Sequence, residues 1–332
     1  MKRSEDEWIR RIRHAADNLS SSSIRVGIGD DCAVLAPLKA DEELLLTTDQ
    51  VIEGTHFTRD LHPPGALGRK TLARGLSDIA AMGGHPIWFL LSVCLPRDMA
   101  DSWLKHYLDE MFLSIQIFYG QGRDLVLVGG DLAQGERIAA QVTVGGAVPR
   151  GRALLRNGAH AGDRIFVSGE LGGSALGLER LLSRDAEPAD LAVERHLRPT
   201  PRLSLGLMLR ERIGASAAMD LSDGLSTDLS RMAEANGLAA RIDVERIPCF
   251  PGASSEQALH GGEEYELLFA AGEGAEVPEA ADGLSLTEIG RFEKGEGVWA
   301  EGVGDSGRIE PTGFQHFSSG EEIETTIRER KL

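Results

Sequence analysis

Short apolar runs alternate with polar, glycine-bearing turns along the first 150 residues, and several runs end in an acid. Residues 4–17 put Trp8, Ile9 and Ile12 on one side, which predicts an amphipathic helix. Residues 24–28 and 33–35 read as strands with Asp30 and Asp31 between them, and residues 44–48 as a strand running into Asp49. Pro63-Pro64-Gly65 breaks the chain, and an Ala- and Leu-rich pattern predicts a helix over 66–82, closed by Gly83-Gly84. A buried strand at 87–95 and a long amphipathic helix over 98–119 follow. Next come a strand at 125–128, ending in Gly129-Gly130-Asp131, and another at 138–148.

The polar, turn-rich residues 150–163 mark the expected boundary between two domains, 1–150 and 151–332. Beyond it, strands are expected at 164–167, 217–220 and 239–244. Helices are expected up to 182, over 202–212 and over 225–235, the last closed by Asn236-Gly237. Gly261-Gly262-Glu263-Glu264-Tyr265 turns into a further strand, residues 272–283 form a loop, and the tail alternates short strands and turns. Both halves repeat an order of strand, glycine-acid turn and helix, an α/β pattern.

At 42% apolar residues in 332, the chain can bury a full core. Acids outnumber bases 52 to 35, for a net charge of −17, which disfavours nucleic acid and anionic membrane as partners. Three widely spaced cysteines without C-x-x-C fit a reducing cytoplasm better than a disulfide framework or a zinc site. The charged N-terminus lacks a signal-peptide core, and the apolar run at 87–95 is too short for a span of roughly 20 residues. A cytoplasmic location is therefore expected.

Chemistry enters through five acidic stretches. They are Gly29-Asp30-Asp31, Thr47-Thr48-Asp49, Leu76-Ser77-Asp78, Gly129-Gly130-Asp131 and Asp220-Leu221-Ser222-Asp223-Gly224. Carboxylate and hydroxyl oxygens are what Mg²⁺ takes as ligands, and adjacent glycines let backbone approach a phosphate. Singly, each stretch is also an ordinary turn or helix cap; Asp223 could cap the helix starting near Leu225. Adjacent acids such as Asp30 and Asp31 repel unless a cation lies between them, and in an extended chain one of them, Asp31, faces the site. The chain has no G-x-x-x-x-G-K-[ST], protein-kinase, G-x-S-x-G or H-E-x-x-H motif. Gly68-Arg69-Lys70-Thr71 has the wrong glycine spacing for a P-loop.

As an ordered set, these stretches resemble the thiamine-monophosphate kinase family. The match adds Gly54-Thr55-His56-Phe57, Gly151 to Arg156, Arg195 to Pro199, Gly261-Gly262-Glu263 with Tyr265-Glu266-Leu267, and Gly313-Phe314 with His316-Phe317. The resemblance implies an aminoimidazole ribonucleotide synthetase-like fold: two α/β (α+β) domains with mixed sheets flanked by helices, dimerising through the N-terminal sheet. It implies transfer of the γ-phosphoryl of ATP to thiamine monophosphate, assisted by several Mg²⁺ ions. Implied metal ligands are Asp31, Thr47, Thr48, Asp49, Asp78, Asp131, Asp220 and Asp223. Gly130, Asp131, Arg156 and Ser222 fall on the ATP side, and His56, Glu263 and Phe314 on the thiamine-phosphate side. No covalent nucleophile is expected, because a phosphate dianion needs no general base and its obstacle is charge repulsion. Leu132, Glu264 and Gly75 depart from the usual family residues threonine, aspartate and asparagine. The alternatives are another ATP-dependent synthetase of the same fold and a nucleotide-binding relative without turnover.

Overall fold

One helix, α2, is the element on which both halves of the molecule pack. The structure is a computed structural model that describes residues 5–17, 22–28, 32–99, 101–119, 125–187, 189–301 and 307–314. Asp31 and residues 315–317 of the family match lie outside the described residues.

The first half runs α1 (Glu5–Asp17), β1 (Ile24–Val26), β2 (Val34–Leu35), β3 (Glu42–Ile52), α2 (Pro64–Ala81) and β4 (His85–Leu95). It continues with α3 (Ser102–Tyr119), β5 (Val126–Gln134) and β6 (Ala139–Pro149). β1 and β2 form a small ribbon, and the main sheet has the order β3-β6-β4-β5, with only β4 and β5 parallel. Strand alternation gives this sheet two unlike faces. On β3, Leu45 and Val51 are buried with Thr47 and Asp49 on their side, while Leu44 and Leu46 are exposed. The buried face packs on α2 and α3 through Leu67, Leu72, Leu76, Phe89, Leu91, Val142 and Val144.

The second half comprises β7 (Arg164–Ser168), α4 (Gly173–Ser183), α5 (Leu191–Leu197), α6 (Leu203–Met208), β8 (Ala217–Asp220), α7 (Leu225–Asn236) and β9 (Leu238–Asp243). Then come α8 (Ser255–His260), β10 (Leu267–Ala271), β11 (Ala280–Ala281), β12 (Leu284–Lys294), β13 (Gly297–Glu301) and β14 (Arg308–Ile309). The sheet order is β14-β13-β9-β12-β7-β10-β8, with β11 paired to β12. Its central strands are covered on both sides. Ile165, Val167, Met219 and Leu268 enter one core, whereas Phe166, Ala218, Leu267 and Phe269 enter the other. That second core also takes Ala81 from the end of α2. A Cβ on Gly206 of α6 would lie 2.0 Å from the Ala80 carbonyl oxygen, so glycine is what lets α6 sit directly on α2.

Three features differ from the sequence expectation. β5 does not end at the Gly-Gly-Asp stretch but runs through it, paired with β4 as far as Gln134. The short helices α5 and α8 were not expected. Both are fixed by local caps, Asp190 accepting from the amides of Ala192 and Val193, and a Ser254–Gln257 capping box. The helix expected over 202–212 is α6 followed by a π-helical turn, Leu209–Ile213.

Candidate active site

Three segments bring acids together. β3 directs Thr47 and Asp49 toward α2, the C-terminal half of α2 carries Asp78, and β8 ends in the buried Asp220. The Thr47 hydroxyl donates to Asp78 Oδ2. Asp78 is pushed up to about 7 by burial and by the charges of Asp220 and Asp49; the Thr47 hydroxyl and Arg156 oppose the shift. Asp220 is pushed up to about 6, chiefly by burial, with Asp228 and Asp49 adding to the rise. The Ser77 hydroxyl and Arg156 pull the other way. Each of these carboxylates feels the others' field, so the cluster is short of positive charge.

A second set of acids sits at the other end of the cleft, in the turn before β10. Glu263 accepts from Lys70 Nζ at 2.8 Å and from Arg74 Nη1 at 3.4 Å. Burial raises its pKa, but the opposing charges of Lys70, His196 and Arg74 outweigh that and hold it near 2. Lys70 is 2% exposed and Glu263 23%, so this is a part-buried ion pair between the two halves. Arg74 Nη2 also donates to Asp49 Oδ1 at 3.2 Å, tying the two acidic sets together. His196 Nε2 lies 3.2 Å from His62 Nε2, and burial holds both rings below the usual imidazole value, His62 at about 4. Glu263 and Tyr265 have φ of +61° and +53°, so two non-glycine residues in this turn are left-handed. They are held there by Glu263 N–H donating to Ser222 O and Tyr265 N–H to Leu221 O.

Not every residue singled out in the sequence joins the cluster. Arg156 is exposed, but its charge acts on both Asp78 and Asp220. Asp223 pairs with Arg231 and does not cap α7, whose N-cap is Gly224 without a side-chain bond; Asp228, inside α7, instead accepts from the amides of Ser222 and Asp223 at 3.0 and 2.9 Å. Thr48 faces the open side of the sheet, accepting from Gln141 Nε2 at 2.9 Å. Asp49, Val142, Leu91 and Gly130 form one row across β3, β6, β4 and β5. Asp131 lies in the next row, with Ser92, Gln141 and Gln50, and so on the open face. Three strand spacings, roughly 14 Å, separate β3 from β5. His56 Nδ1 accepts from the Ile52 amide at 3.1 Å. Phe314 is 38% exposed, and its amide donates to Asp223 O at 3.0 Å.

Lys70, Arg74, His62, His196 and Asp228 were missed in the sequence. One signal was available. Lys70, Arg74 and Asp78 recur at i, i+4 and i+8 and stripe one face of an otherwise Ala- and Leu-rich helix. Gly75 also acquires a reason, since a Cβ there would meet Val144 Cγ2 at 2.7 Å where α2 lies on the sheet.

The donor chemistry fits Mg²⁺: hard oxygens, mutually repelling, with no histidine or thiolate among Thr47, Asp49, Asp78 and Asp220. Among the described residues no three His, Cys, Asp or Glu side chains form a ready-made metal cage. Mg²⁺ does not need one, because it commonly uses one or two carboxylates plus waters and substrate phosphates.

A two-domain α/β fold is shared with the aminoimidazole ribonucleotide (AIR) synthase group. The chain matches the AIR synthase related protein N-terminal domain over residues 29–148 and the C-terminal domain over 160–301. Thiamine-monophosphate kinase of Escherichia coli is 38% identical over 322 residues, covering 91% of this chain and 96% of that protein. The Aquifex aeolicus enzyme is 37% identical over 304 residues, covering 87% and 92%. A crystal structure of thiamine-monophosphate kinase from Stenotrophomonas maltophilia superposes with a TM-score of 0.77 at 36% identity, over 92% of this chain and 99% of that one. A structure of AaThiL complexed with AMPPCP and TMP gives 0.75 at 36% identity, over 94% and 97%. Escherichia coli HypE, a hydrogenase maturation protein, gives 0.72 at 19% identity and shares the fold alone. The chain belongs to the thiamine-monophosphate kinase family.

Proposed function

We propose that this chain transfers the γ-phosphoryl group of ATP to thiamine monophosphate, giving thiamine diphosphate and ADP. The observation that carries the reading is the convergence of Asp49, Asp78 and Asp220, mutually repelling and facing Arg156, in a chain 38% identical to thiamine-monophosphate kinase. The test is to incubate purified protein with ATP, Mg²⁺ and thiamine monophosphate and follow thiamine diphosphate. Binding of both substrates without product would overturn it in favour of an inactive relative. Failure to bind thiamine monophosphate would favour another synthetase of the fold.

The chemistry asked of the protein is positioning and charge cancellation. Asp31, Thr47, Asp49, Asp78, Asp220 and Asp223 are the proposed Mg²⁺ ligands, and the ions would offset the negative charge of the two phosphate groups. Arg156 is the proposed clamp on the ATP phosphates, with Gly130 and Ser222 offering backbone and hydroxyl contacts. Glu263 would accept from the acceptor's aminopyrimidine, His56 would donate to its phosphate and Phe314 would stack on a ring. Transfer is proposed to be direct and in line, because the acceptor's phosphate dianion is itself the nucleophile and needs no general base. Inversion of configuration at a chirally labelled γ-phosphorus checks this, and retention would require a phosphoenzyme.

A homodimer is part of the reading. Leu44 and Leu46 are 53% and 63% exposed, and the open sheet face continues through Trp88 and Leu90. A second copy would cover that apolar strip. The same face carries Thr48 and Asp131, so their proposed ligand roles depend on the second copy. Leu46→Glu should give a monomer by light scattering and low activity with Asp131 intact. A fully active monomer would break this part. The three free cysteines accord with a reducing, cytoplasmic setting, and no helix among the described residues is long and apolar enough to cross a membrane.

A further inference from the structure

Arg74 stands between the two acidic sets with one Nη atom on each, Asp49 at 3.2 Å and Glu263 at 3.4 Å. Charge-assisted bonds are usually about 2.7–2.9 Å, so the guanidinium is spread between two acids rather than seated on one. Its side chain is 15% exposed, and its buried Nε has no hydrogen-bond partner. The two acids are not equivalent. Glu263 retains the Lys70 ammonium at 2.8 Å if Arg74 leaves. Among the described residues, Asp49 has no other ion-pair partner.

We propose that Arg74 is a positioning residue that couples the ion end of the site to the acceptor end. It neutralises Asp49 while no divalent cation is bound, and it swings to the phosphate of thiamine monophosphate once one is. This rests on the reading of Asp49 as an ion ligand and of Glu263 as an acceptor residue. A cation of charge +2 on Asp49 would lie within a few ångströms of the guanidinium, where like charges repel strongly in a part-buried site. Arg74 must then give up that bond. The fork it frees, including the idle Nε, suits the bidentate grip that arginine makes on phosphate. Lys70 is packed against Glu263 and has less freedom to do the same.

Two consequences separate this role from simple packing. Arg74→Met keeps the length of the side chain and removes the competitor for Asp49. Mn²⁺ binding without nucleotide, read from the free-Mn²⁺ electron paramagnetic resonance signal, should tighten by about fivefold or more. KM for thiamine monophosphate should rise by about tenfold or more, as for loss of one charged hydrogen bond, with a smaller effect on kcat. Arg74→Lys keeps the charge without the fork, so Mn²⁺ binding should stay as in the wild type while KM rises. Arg74→Met that binds Mn²⁺ no more tightly than a wild type that does bind it overturns the proposal alone. Arg74→Lys with wild-type KM overturns it too, even if the methionine variant does not fold. A wild type that binds no Mn²⁺ overturns the reading of Asp49 itself, and this proposal with it.

Discussion

The molecule holds two sets of buried and part-buried acids, and they are compensated in opposite ways. The charge of Asp49 helps to raise the pKa of both Asp78 and Asp220, and the cations acting on these three acids include Arg74 and Arg156. Glu263, Glu264 and Glu266 are surrounded by Lys70, Arg74, Arg195 and Arg202. Glu266 is fully buried and accepts from Arg195 Nη2 at 2.6 Å, Arg202 Nε at 2.9 Å and the Ser168 hydroxyl at 2.6 Å. Glu264 is the exception within its set. Burial raises it to about 7 despite Arg195 and the Ser174 amide. Acids that are fully paired in the folded chain build structure, whereas acids left short of positive charge are set up to take it from a ligand.

Substitutions can break this contrast. The largest expected effect is on turnover. Asp78→Asn or Asp220→Asn should lower kcat by at least about a hundredfold, as when one electrostatic contributor is removed from a transition state. The metal-free variant should nevertheless melt above the wild type in a thermal scan, because a repelling charge has gone. Glu266→Gln should do the reverse. It should lower unfolding free energy by about 3–5 kcal/mol in urea titrations, since two part-buried arginines lose the counter-charge of a fully buried acid.

The pH dependence sharpens the comparison. Asp78 goes from 3.8 unfolded to about 7 folded, so the folded state retains a proton that the unfolded state releases. Its contribution to stability is therefore present below about pH 4 and lost as pH rises to 7. The melting-temperature gain of Asp78→Asn over wild type, measured in EDTA, should grow from pH 4 to 7 and then level off. Glu263 goes from 4.5 to about 2, so its contribution is present above pH 4.5 and lost as pH falls toward 2. The smallest effect belongs to Glu264→Gln. A carboxyl near its pKa at neutral pH is already partly uncharged, so the change should stay within about 1 kcal/mol at pH 7.

The acids of the cleft could be read in the sequence because each sits at the end of an apolar run beside a glycine or hydroxyl. Their compensation could not. Lys70 and Glu263 are 193 positions apart, and no local pattern says which of two nearby acidic sets a buried lysine will serve. Asp131 shows a different limit. Its face depends on register across four strands, and a shift of one residue would reverse it. The continuation of β5 through Gly129-Gly130-Asp131 was hidden for a related reason, since glycines suggest a turn until pairing with β4 overrides local preference. The short helices α5 and α8 carried caps but too few residues for a visible period.

Because α6 rests through Gly206 on the carbonyl of Ala80, the cleft has little room for clamshell motion. Its walls share a common spine, and parting them would strip apolar surface from both cores at once. A single methyl group at Gly206 would act as a wedge, prising the acids apart without touching any of them.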